Sequence, residues 1–231
     1  MDGSERACPR FLHRWRSDEP DRIGQTIKIG RRGSITARIT VEGTQGHVAY
    51  PSRVDNPIHR LTRALAELTT TPLDEGNEWF EPSSLQVTTM DVGNPTTNLV
   101  PASASAVLNI RFNNAHTGAS LEKWLKGILA RHADRVTVDV SVDGESFLTT
   151  PNDATVELAE AVRSVAGLTP ELDTGGGTSD ARFISRYCDV AEFGLVSATI
   201  HQANENVAVG DLRLLTEIYG AFLTSYFSNG R

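Results

Sequence analysis

Residues 34–41 read SITARITV, and apolar side chains alternate strictly with polar ones along this stretch. Its apolar members are Ile35, Ala37, Ile39 and Val41. Because successive side chains of a strand point to opposite faces of a sheet, this period of two predicts a β-strand with one buried face.

Downstream of the strand, the pattern alternates between helical and extended periods. Asn56 precedes Pro57, an arrangement typical of a helix start, because asparagine caps the first turn and proline fits the first helical position. Apolar residues then recur at spacings of three and four, which predicts an amphipathic helix. Two strands, a second helix and a fourth strand follow, at residues 85–89, 104–112, 121–129 and 136–142.

This β-α-β-β-α-β order is typical of a ferredoxin-like fold, in which one antiparallel sheet carries both helices on a single face. The other face of the predicted sheet has no internal partner. We therefore expect a second chain or another domain to extend or cover the sheet.

Beyond Phe147 the pattern changes to that of α/β layers. It predicts a helix from Asp153, a short strand near Leu172, a strand around residues 190–195 and a long terminal helix. The fold class is therefore α/β. We divide the chain into a joining segment, a ferredoxin-like domain and a second α/β part, at residues 1–32, 33–147 and 148–231.

Composition and charge exclude several classes of protein. The chain has 231 residues, of which 39% are hydrophobic and 22% charged, with a formal net charge of -7. These values are typical of a globular protein, and no apolar stretch approaches the ~20 residues of a membrane helix. The negative charge lies outside residues 1–32, which argues against nucleic acid as a partner.

Cysteine usage and the N-terminus bear on the cellular compartment. Cys8 and Cys188 form neither a disulfide framework nor a zinc or redox motif. Residues 1–17 lack the continuous apolar core of a signal peptide. We therefore expect a cytoplasmic protein with no membrane partner.

Two segments of the second part could carry chemistry. Residues 174–184, TGGGTSDARFI, can present backbone N–H groups to an anion, although a plain strand-to-helix connection would look the same. His201 follows an apolar, strand-like run, and strand ends are where α/β folds build their sites. The alternative for a lone histidine is a structural role.

Further candidates lie in and around the predicted ferredoxin-like domain. His47 follows a glycine in the loop after the first strand, where an imidazole could donate a hydrogen bond to a developing oxyanion. Arg111 falls on the face opposite Ile110, and Arg31 and Arg32 lie just before the first strand. Such guanidinium groups can bind carboxylates as forks. The alternative is that all four are ordinary surface residues.

Five segments together resemble one enzyme family. They are KIGRRGS at 28–34, QGHVAYP at 45–51, DEGNE at 74–78, GGTSD at 176–180 and ATIH at 198–201. In order and spacing they are similar to segments of the two-zinc aminoacylases and deacylases, which include succinyl-diaminopimelate desuccinylases, acetylornithine deacetylases and glutamate carboxypeptidases. The desuccinylases are the nearest, and the resemblance extends from about Glu19 to Tyr226.

The resemblance implies an architecture and a set of residue roles. It implies a ferredoxin-like dimerisation or lid domain, a homodimer through residues 33–147, and the C-terminal part of a zinc-hydrolase domain over residues 148–231. It makes His201 and Glu19 zinc ligands, with two zinc ions in a complete site and cobalt as a possible substitute. His47 would reach the substrate in the partner's site. The other substrate-contacting positions are Asn98, Arg111, Gly177 and Thr178.

The implied activity is hydrolysis of the amide of an N-acyl amino diacid, such as N-succinyl-LL-2,6-diaminopimelate. A complete member begins with a half-domain that holds a His-x-Asp segment, a bridging aspartate and a Glu-Glu pair with the general base. None of these segments occurs in this sequence. We therefore assign no catalytic residue and expect the chain to be inactive alone. The alternatives are a non-catalytic dimerisation module or subunit, and a related deacylase such as acetylornithine deacetylase.

Overall fold

The structure is a computed structural model that describes residues 11–14, 21–196 and 198–228. Its strands are β1 Phe11–Arg14, β2 Thr26–Lys28, β3 Gly30–Arg31, β4 Gly33–Glu42, β5 Gly46–His47, β6 Ser84–Asp91, β7 Leu99–Val100, β8 Ser103–Phe112, β9 Val136–Gly144, β10 Phe147–Leu148, β11 Glu171–Asp173 and β12 Asp189–Glu192. The α-helices are α1 Pro57–Thr70, α2 Gly118–His132, α3 Asp153–Ala166, α4 Ala181–Ile184 and α5 Val209–Ser228. No helix of the described residues is long and apolar enough to cross a membrane.

The chain forms two compact units. The central unit comprises residues 32–146. The flanking unit combines the described residues up to Arg31 with those from Phe147 onward. The flanking unit is therefore assembled from two separate parts of the chain.

An antiparallel sheet with strand order β6-β8-β4-β9 forms the central unit. The predicted first strand, β4, lies in the middle and pairs with β8 over its full length, from Gly33 opposite Phe112 to Glu42 opposite Ser103. Its apolar residues are buried, and both long helices, α1 and α2, pack with that face to form one core. The structure thus confirms the ferredoxin-like arrangement with both helices on one face.

Local signals explain where the helices of the central unit begin. Asn56 Oδ1 accepts a hydrogen bond from Ile58 N at 3.0 Å, and Pro57 is the first residue of α1, as predicted. Thr117 and Ser120 form a reciprocal capping box at the start of α2. These bonds satisfy backbone N–H groups that the first helical turn leaves without partners.

The opposite face of this sheet is polar, whereas a surface covered by a partner is often apolar. Its side chains on β4, β8 and β9 are mostly polar, and several are hydrogen-bonded to one another: Ser34, Thr36, Asn109, Arg111 and Asp143. A polar face does not need an apolar cover. Both edge strands are irregular, since the register shifts at Val87/Thr89 of β6 and opposite Ser34/Ile35 of β4 in its pairing with β9.

Asp74 fastens the segment after α1 to the loop before α2. Its carboxylate accepts hydrogen bonds from Gly76 N at 2.8 Å, Asn113 Nδ2 at 2.6 Å and Ser83 N at 3.2 Å. The other oxygen lies 3.1 Å from His116 Nε2. Burial raises the pKa of the Asp74 carboxyl, but the hydrogen bonds from Ser83, Gly76 and Asn113 outweigh this effect and lower the pKa.

The flanking unit contains a mixed sheet with strand order β1-β12-β2-β11. Helices α3 and α5 pack against each other and bury Leu158, Val162, Leu215 and Ile218. The Tyr219 hydroxyl of α5 donates to Phe193 O at 2.6 Å, and burial raises the pKa of this tyrosine. The predicted strand around residues 190–195 is shorter than expected, since β12 ends at Glu192.

A buried ion pair crosses the flanking unit. Arg31 Nε donates to Glu192 Oε2 at 2.6 Å, and Arg31 Nη1 donates to Gly175 O at 3.0 Å. The two side chains are 0% and 1% exposed. Because one guanidinium contacts both β12 and the glycine-rich loop, it fixes their distance from β3.

We expect Asp74→Asn to destabilise the protein at neutral pH by ~1–3 kcal/mol, since an amide cannot replace a carboxylate that accepts this many hydrogen bonds. A carboxyl whose pKa is lowered by folding contributes stability above its unfolded-state pKa and loses it as the pH falls through its folded-state pKa. The wild-type advantage should therefore shrink below about pH 4. Urea unfolding of both proteins between pH 3 and pH 7 measures this difference.

The matched control is Asp91→Asn, because this carboxylate is exposed and accepts a backbone hydrogen bond from Gly93 N. It should cost less stability at pH 7 than Asp74→Asn, because an amide oxygen can still accept from Gly93 N. A difference between wild type and Asp74→Asn that stays constant down to pH 3 would contradict the role assigned to the Asp74 charge.

Substituting one member of the Arg31–Glu192 pair should destabilise the protein strongly. Arg31→Met leaves a buried carboxylate without its cation, which costs about 3–5 kcal/mol. The double variant Arg31→Met/Glu192→Leu leaves neither charge and should cost less than the sum of the single variants. A double-mutant cycle by urea unfolding measures the coupling, and additive effects would show that the pair is not coupled.

Candidate functional site

His47 and Asn98 lie together on a small ribbon of the central unit. Strand β5 pairs with β7 so that His47 faces Leu99, and Val48 N donates to Asn98 O at 3.1 Å. Asn94 Nδ2 supports the ribbon by donating to Leu99 O at 2.9 Å. The structure therefore brings two of the predicted substrate-contacting residues together, and both are exposed.

The hydrogen bonds of His47 define what its ring can offer a ligand. Ala49 N donates to His47 Nδ1 at 3.0 Å, so Nδ1 is an acceptor and the proton of the neutral ring is assigned to Nε2. The ring packs edge-on against Tyr50, with centroids 5.8 Å apart. A ring held this way presents an exposed Nε2–H donor, the group that a carbonyl oxygen or an oxyanion would accept from.

Arg111 lies on the polar face of the central sheet, as its parity predicts. Its cross-strand neighbours are Ser34 on β4 and Ser84 on β6. Its Nε donates to Asn109 Oδ1 at 3.0 Å. The two terminal nitrogens remain available as a fork for a carboxylate.

Within a single copy of the central unit, Arg111 lies far from the ribbon that carries His47. The ribbon residue Val100 lies three residues before the start of β8, whereas Arg111 is near the end of that strand. The eight residue-to-residue steps from Ser103 to Arg111 span about 26 Å of extended backbone. The two groups of candidate residues are therefore at opposite ends of the central sheet.

Gly177 and Thr178 lie in the loop between β11 and α4 of the flanking unit. Asp173 Oδ1 accepts from Thr174 N at 2.7 Å and from Gly175 N at 2.9 Å, so the first N–H groups of this loop bind its own carboxylate. Lys28 pairs with the other oxygen of Asp173. Burial raises the pKa of Asp173, but Lys28 and the loop N–H groups outweigh it and lower the pKa.

The start of α4 shows how that loop is closed. Ser179 Oγ accepts from Ala181 N at 3.2 Å, whereas the Asp180 side chain makes no capping bond. Thr178 Oγ1 lies 3.4 Å from Arg182 Nη1. Gly177 is exposed at the tip of the loop, where a ligand can approach the backbone.

The sequence suggested that Arg31 and Arg32 could both bind a carboxylate with their guanidinium groups, but the structure separates the two residues. Arg31 is buried and bound to Glu192 and Gly175. Arg32 belongs to the other unit, and its Nη1 lies 3.9 Å from Glu81 Oε2 at the surface. The guanidinium of Arg31 therefore serves the fold, because its burial requires a charged partner.

His201 lies on an exposed stretch between β12 and α5, with a left-handed backbone at φ 61°. Its backbone N is 3.4 Å from Glu205 Oε2. In the part of the chain that the structure describes, no three His, Cys, Asp or Glu residues are placed to hold a metal ion. Glu19, the other predicted ligand, lies outside the described residues. The described residues alone do not fit a catalytic zinc site, which takes three protein ligands.

Sequence reasoning did not single out Asn109 and Asp143, although both are within the hydrogen-bonded group around Arg111. The sequence feature that could have pointed to these two residues is the alternation that places them on the polar face. Asn109 shares the parity of Arg111 on β8, and Asp143 is the residue that the β4–β9 register skips. A bulge of this kind cannot be located from alternation alone.

Comparison with known proteins identifies the central part of the chain. Residues 29–137 match the family described as peptidase dimerisation domain. The chain is 60% identical over 218 residues to a succinyl-diaminopimelate desuccinylase of Gluconobacter oxydans, covering 94% of this chain and 57% of that protein. A second desuccinylase, from Acidiphilium cryptum, is 58% identical over 206 residues, covering 89% and 56%. The chain thus spans about half the length of the curated relatives it matches.

Solved structures agree with the fold. Aminopeptidase PepT from Bacillus cereus superposes with a TM-score of 0.75 at 21% identity, covering 92% of this chain and 56% of that one. The M20 family metallo-carboxypeptidase Sso-CP2 from Sulfolobus solfataricus gives a TM-score of 0.67 at 16% identity, covering 89% and 62%. Residues 29–137 thus match a peptidase dimerisation domain, and the chain is similar to the succinyl-diaminopimelate desuccinylases over about half of their length.

Proposed function

We propose that this chain supplies the dimerisation domain and the C-terminal part of a metal-dependent amidohydrolase of the desuccinylase type. The 60% identity to the Gluconobacter oxydans desuccinylase, over 94% of this chain, carries the proposal. The proposed domains are residues 33–147 as the lid and residues 148–231 as part of the hydrolase domain, with residues 1–32 joined to the latter. We place the protein in the cytoplasm, without nucleic-acid or membrane partners.

The proposed reaction is hydrolysis of N-succinyl-LL-2,6-diaminopimelate, a step of diaminopimelate and lysine biosynthesis. Water adds its hydroxyl group to the succinyl carbonyl carbon, the C–N bond breaks, and the nitrogen takes up a proton. The products are succinate and LL-2,6-diaminopimelate. The substrate is small and carries several carboxylates, which suits binding by arginine forks and backbone N–H groups.

Each predicted contact has a chemical role in this proposal. Arg111 binds a substrate carboxylate through its two terminal guanidinium nitrogens. His47 donates from Nε2 to the oxyanion that forms as water adds to the carbonyl carbon, assisted by the neighbouring Asn98. Gly177 and Thr178 bind a second part of the substrate at the exposed loop tip.

The separation of these contacts supports a homodimer through residues 33–147. His47 and Asn98 lie at one end of the central sheet and Arg111 near the other, so a single central unit cannot bring them to one small substrate. Two copies related by a twofold axis could bring the ribbon of one chain to the other end of its partner's sheet. The match of residues 29–137 to a dimerisation domain supports the same assembly.

The metal is the least complete part of the proposed site. In the complete enzyme two zinc ions, or cobalt in their place, would activate water and polarise the amide carbonyl. His201 and Glu19 are the ligands that this chain would provide. A second candidate function is that of a non-catalytic dimerisation subunit, which the match of residues 29–137 to a dimerisation domain supports.

We expect the isolated protein to behave as a dimer of about twice 25.1 kDa at micromolar concentration. Size-exclusion chromatography with light scattering measures the mass. Shared contacts from two chains require this state. A stable monomer at 50 μM would contradict the proposed assembly.

We expect the isolated chain to show negligible desuccinylase activity with added zinc or cobalt, because a site with at most two protein ligands holds metal weakly. Supplying the part of the Gluconobacter oxydans relative that this chain does not match should tighten zinc binding and raise the thermal midpoint. Calorimetric zinc titration and thermal unfolding measure both effects.

His201→Ala should abolish the gain in zinc affinity, whereas His59→Ala, at an exposed histidine of α1, should retain it. Chelator-sensitive turnover by the isolated chain would contradict the expected inactivity. Tight zinc binding that survives His201→Ala would place the metal at other ligands.

A further inference from the structure

The polar face of the central sheet carries a continuous chain of hydrogen bonds that ends at Arg111. It begins at Asp143, whose Oδ2 lies 3.0 Å from Ser34 Oγ and 3.3 Å from Thr36 Oγ1. It continues through Asn109 Nδ2, which lies 3.3 Å and 3.1 Å from these two hydroxyl oxygens. Asn109 Oδ1 then accepts from Arg111 Nε at 3.0 Å.

The β-bulge on β9 explains why one carboxylate reaches two hydroxyls. In the β4–β9 register Ser34 faces Gly144 and Ile35 faces Val142, so Asp143 has no directly opposed residue. A bulged residue turns its side chain away from the regular position. The Asp143 carboxylate thereby lies within hydrogen-bond distance of both Ser34 and Thr36.

Every bond of this chain has a defined direction. An ionised carboxylate only accepts, so the Ser34 and Thr36 hydroxyl protons point toward Asp143. Their lone pairs are left for the Asn109 amide nitrogen. That nitrogen is also 3.0 Å from Ile35 O, a carbonyl that can only accept.

The orientation of the Asn109 amide is therefore determined at both ends. Its nitrogen must face the Ile35 carbonyl, and its oxygen must face the Arg111 Nε–H group, which can only donate. With Nε held in this way, the plane of the guanidinium is fixed. The terminal nitrogens are left to form a two-pronged contact with a carboxylate.

We propose that Asn109 is a positioning residue for Arg111, and that Asp143, through Ser34 and Thr36, sets the direction of the hydrogen bonds. These hydrogen bonds present the Arg111 guanidinium in one orientation to a dicarboxylate or N-acyl diacid ligand. The identity of that ligand rests on the proposed function, whereas the positioning of Arg111 rests on the distances within the central unit.

The experiment uses the full-length, ¹⁵N-labelled protein and succinate as the probe. The Arg111 Nε–Hε resonance is assigned with Arg111→Lys, and its hydrogen exchange and its shift on succinate titration are followed by NMR. In the wild type we expect a protected Hε and a succinate-dependent shift. Asn109→Leu should accelerate Hε exchange and weaken succinate binding, each by about tenfold, because the Nε bond is lost.

Ser105→Ala is the matched control, since Ser105 is on the same strand and face and donates to Asp91 O at 3.2 Å. It should leave both readouts unchanged. Asp143→Ala should accelerate Hε exchange less than Asn109→Leu does, because Ile35 O and the Arg111 Nε–H group still orient the Asn109 amide. Asp143→Asn should restore protection because an amide oxygen can still accept from the hydroxyls. The Asp143 pair also decides the outcome if Asn109→Leu does not fold.

The outcomes separate the positioning proposal from the proposed function. If the wild type does not bind succinate but Hε protection depends on Asn109, the positioning is supported and the carboxylate role of Arg111 fails. If Arg111→Lys abolishes succinate binding while Asn109→Leu changes neither exchange nor affinity, the positioning proposal is overturned. Equal Hε exchange in Asp143→Ala and wild type would overturn the role of Asp143.

Discussion

The register of β4 between β8 and β9 is the constraint on which the central unit depends. A strand has a side-chain period of two, so a slip by one residue would move Ile35, Ile39 and their neighbours to the wrong face. Ten consecutive pairs with β8 hold that register. Gly33 belongs to it as well, because an added Cβ at this position would overlap the ring of Phe112. The buried face can therefore pack with α1 and α2 in one arrangement only.

The same parity places the polar residues that matter for binding. Arg111 and Asn109 share the outer face because they are two residues apart on β8, and β4 supplies Ser34 and Thr36 opposite them. A polar sheet face is usually solvated and mobile, but here one carboxylate orders the hydroxyls and the hydroxyls order an amide. Strand position places Arg111 on this face, and the side-chain hydrogen bonds orient its guanidinium.

The flanking unit relies on charge in a different way. Arg31 and Glu192 are both buried, so each needs the other, and the guanidinium additionally binds the glycine-rich loop through Gly175 O. Asp173 draws the first two N–H groups of that loop to itself, while Lys28 holds Asp173. The candidate residues Gly177 and Thr178 follow directly, so their backbone starts from a fixed point. The tip of the loop is therefore exposed, while Arg31 and Asp173 hold its beginning in place.

The sequence by itself determined the β-α-β-β-α-β order, the Asn56 helix start and the outward parity of Arg111, because periodicity and capping are local properties that neighbouring residues decide. The resemblance of five short segments also pointed to the family of the relatives found. Only the tertiary structure decided that Arg31 is buried while Arg111 is available, that Asp143 lies on a bulge, and that Asn109 joins it to Arg111. Partners more than 70 residues apart in sequence make those contacts, and pairing across a sheet depends on register and bulges that no local pattern encodes.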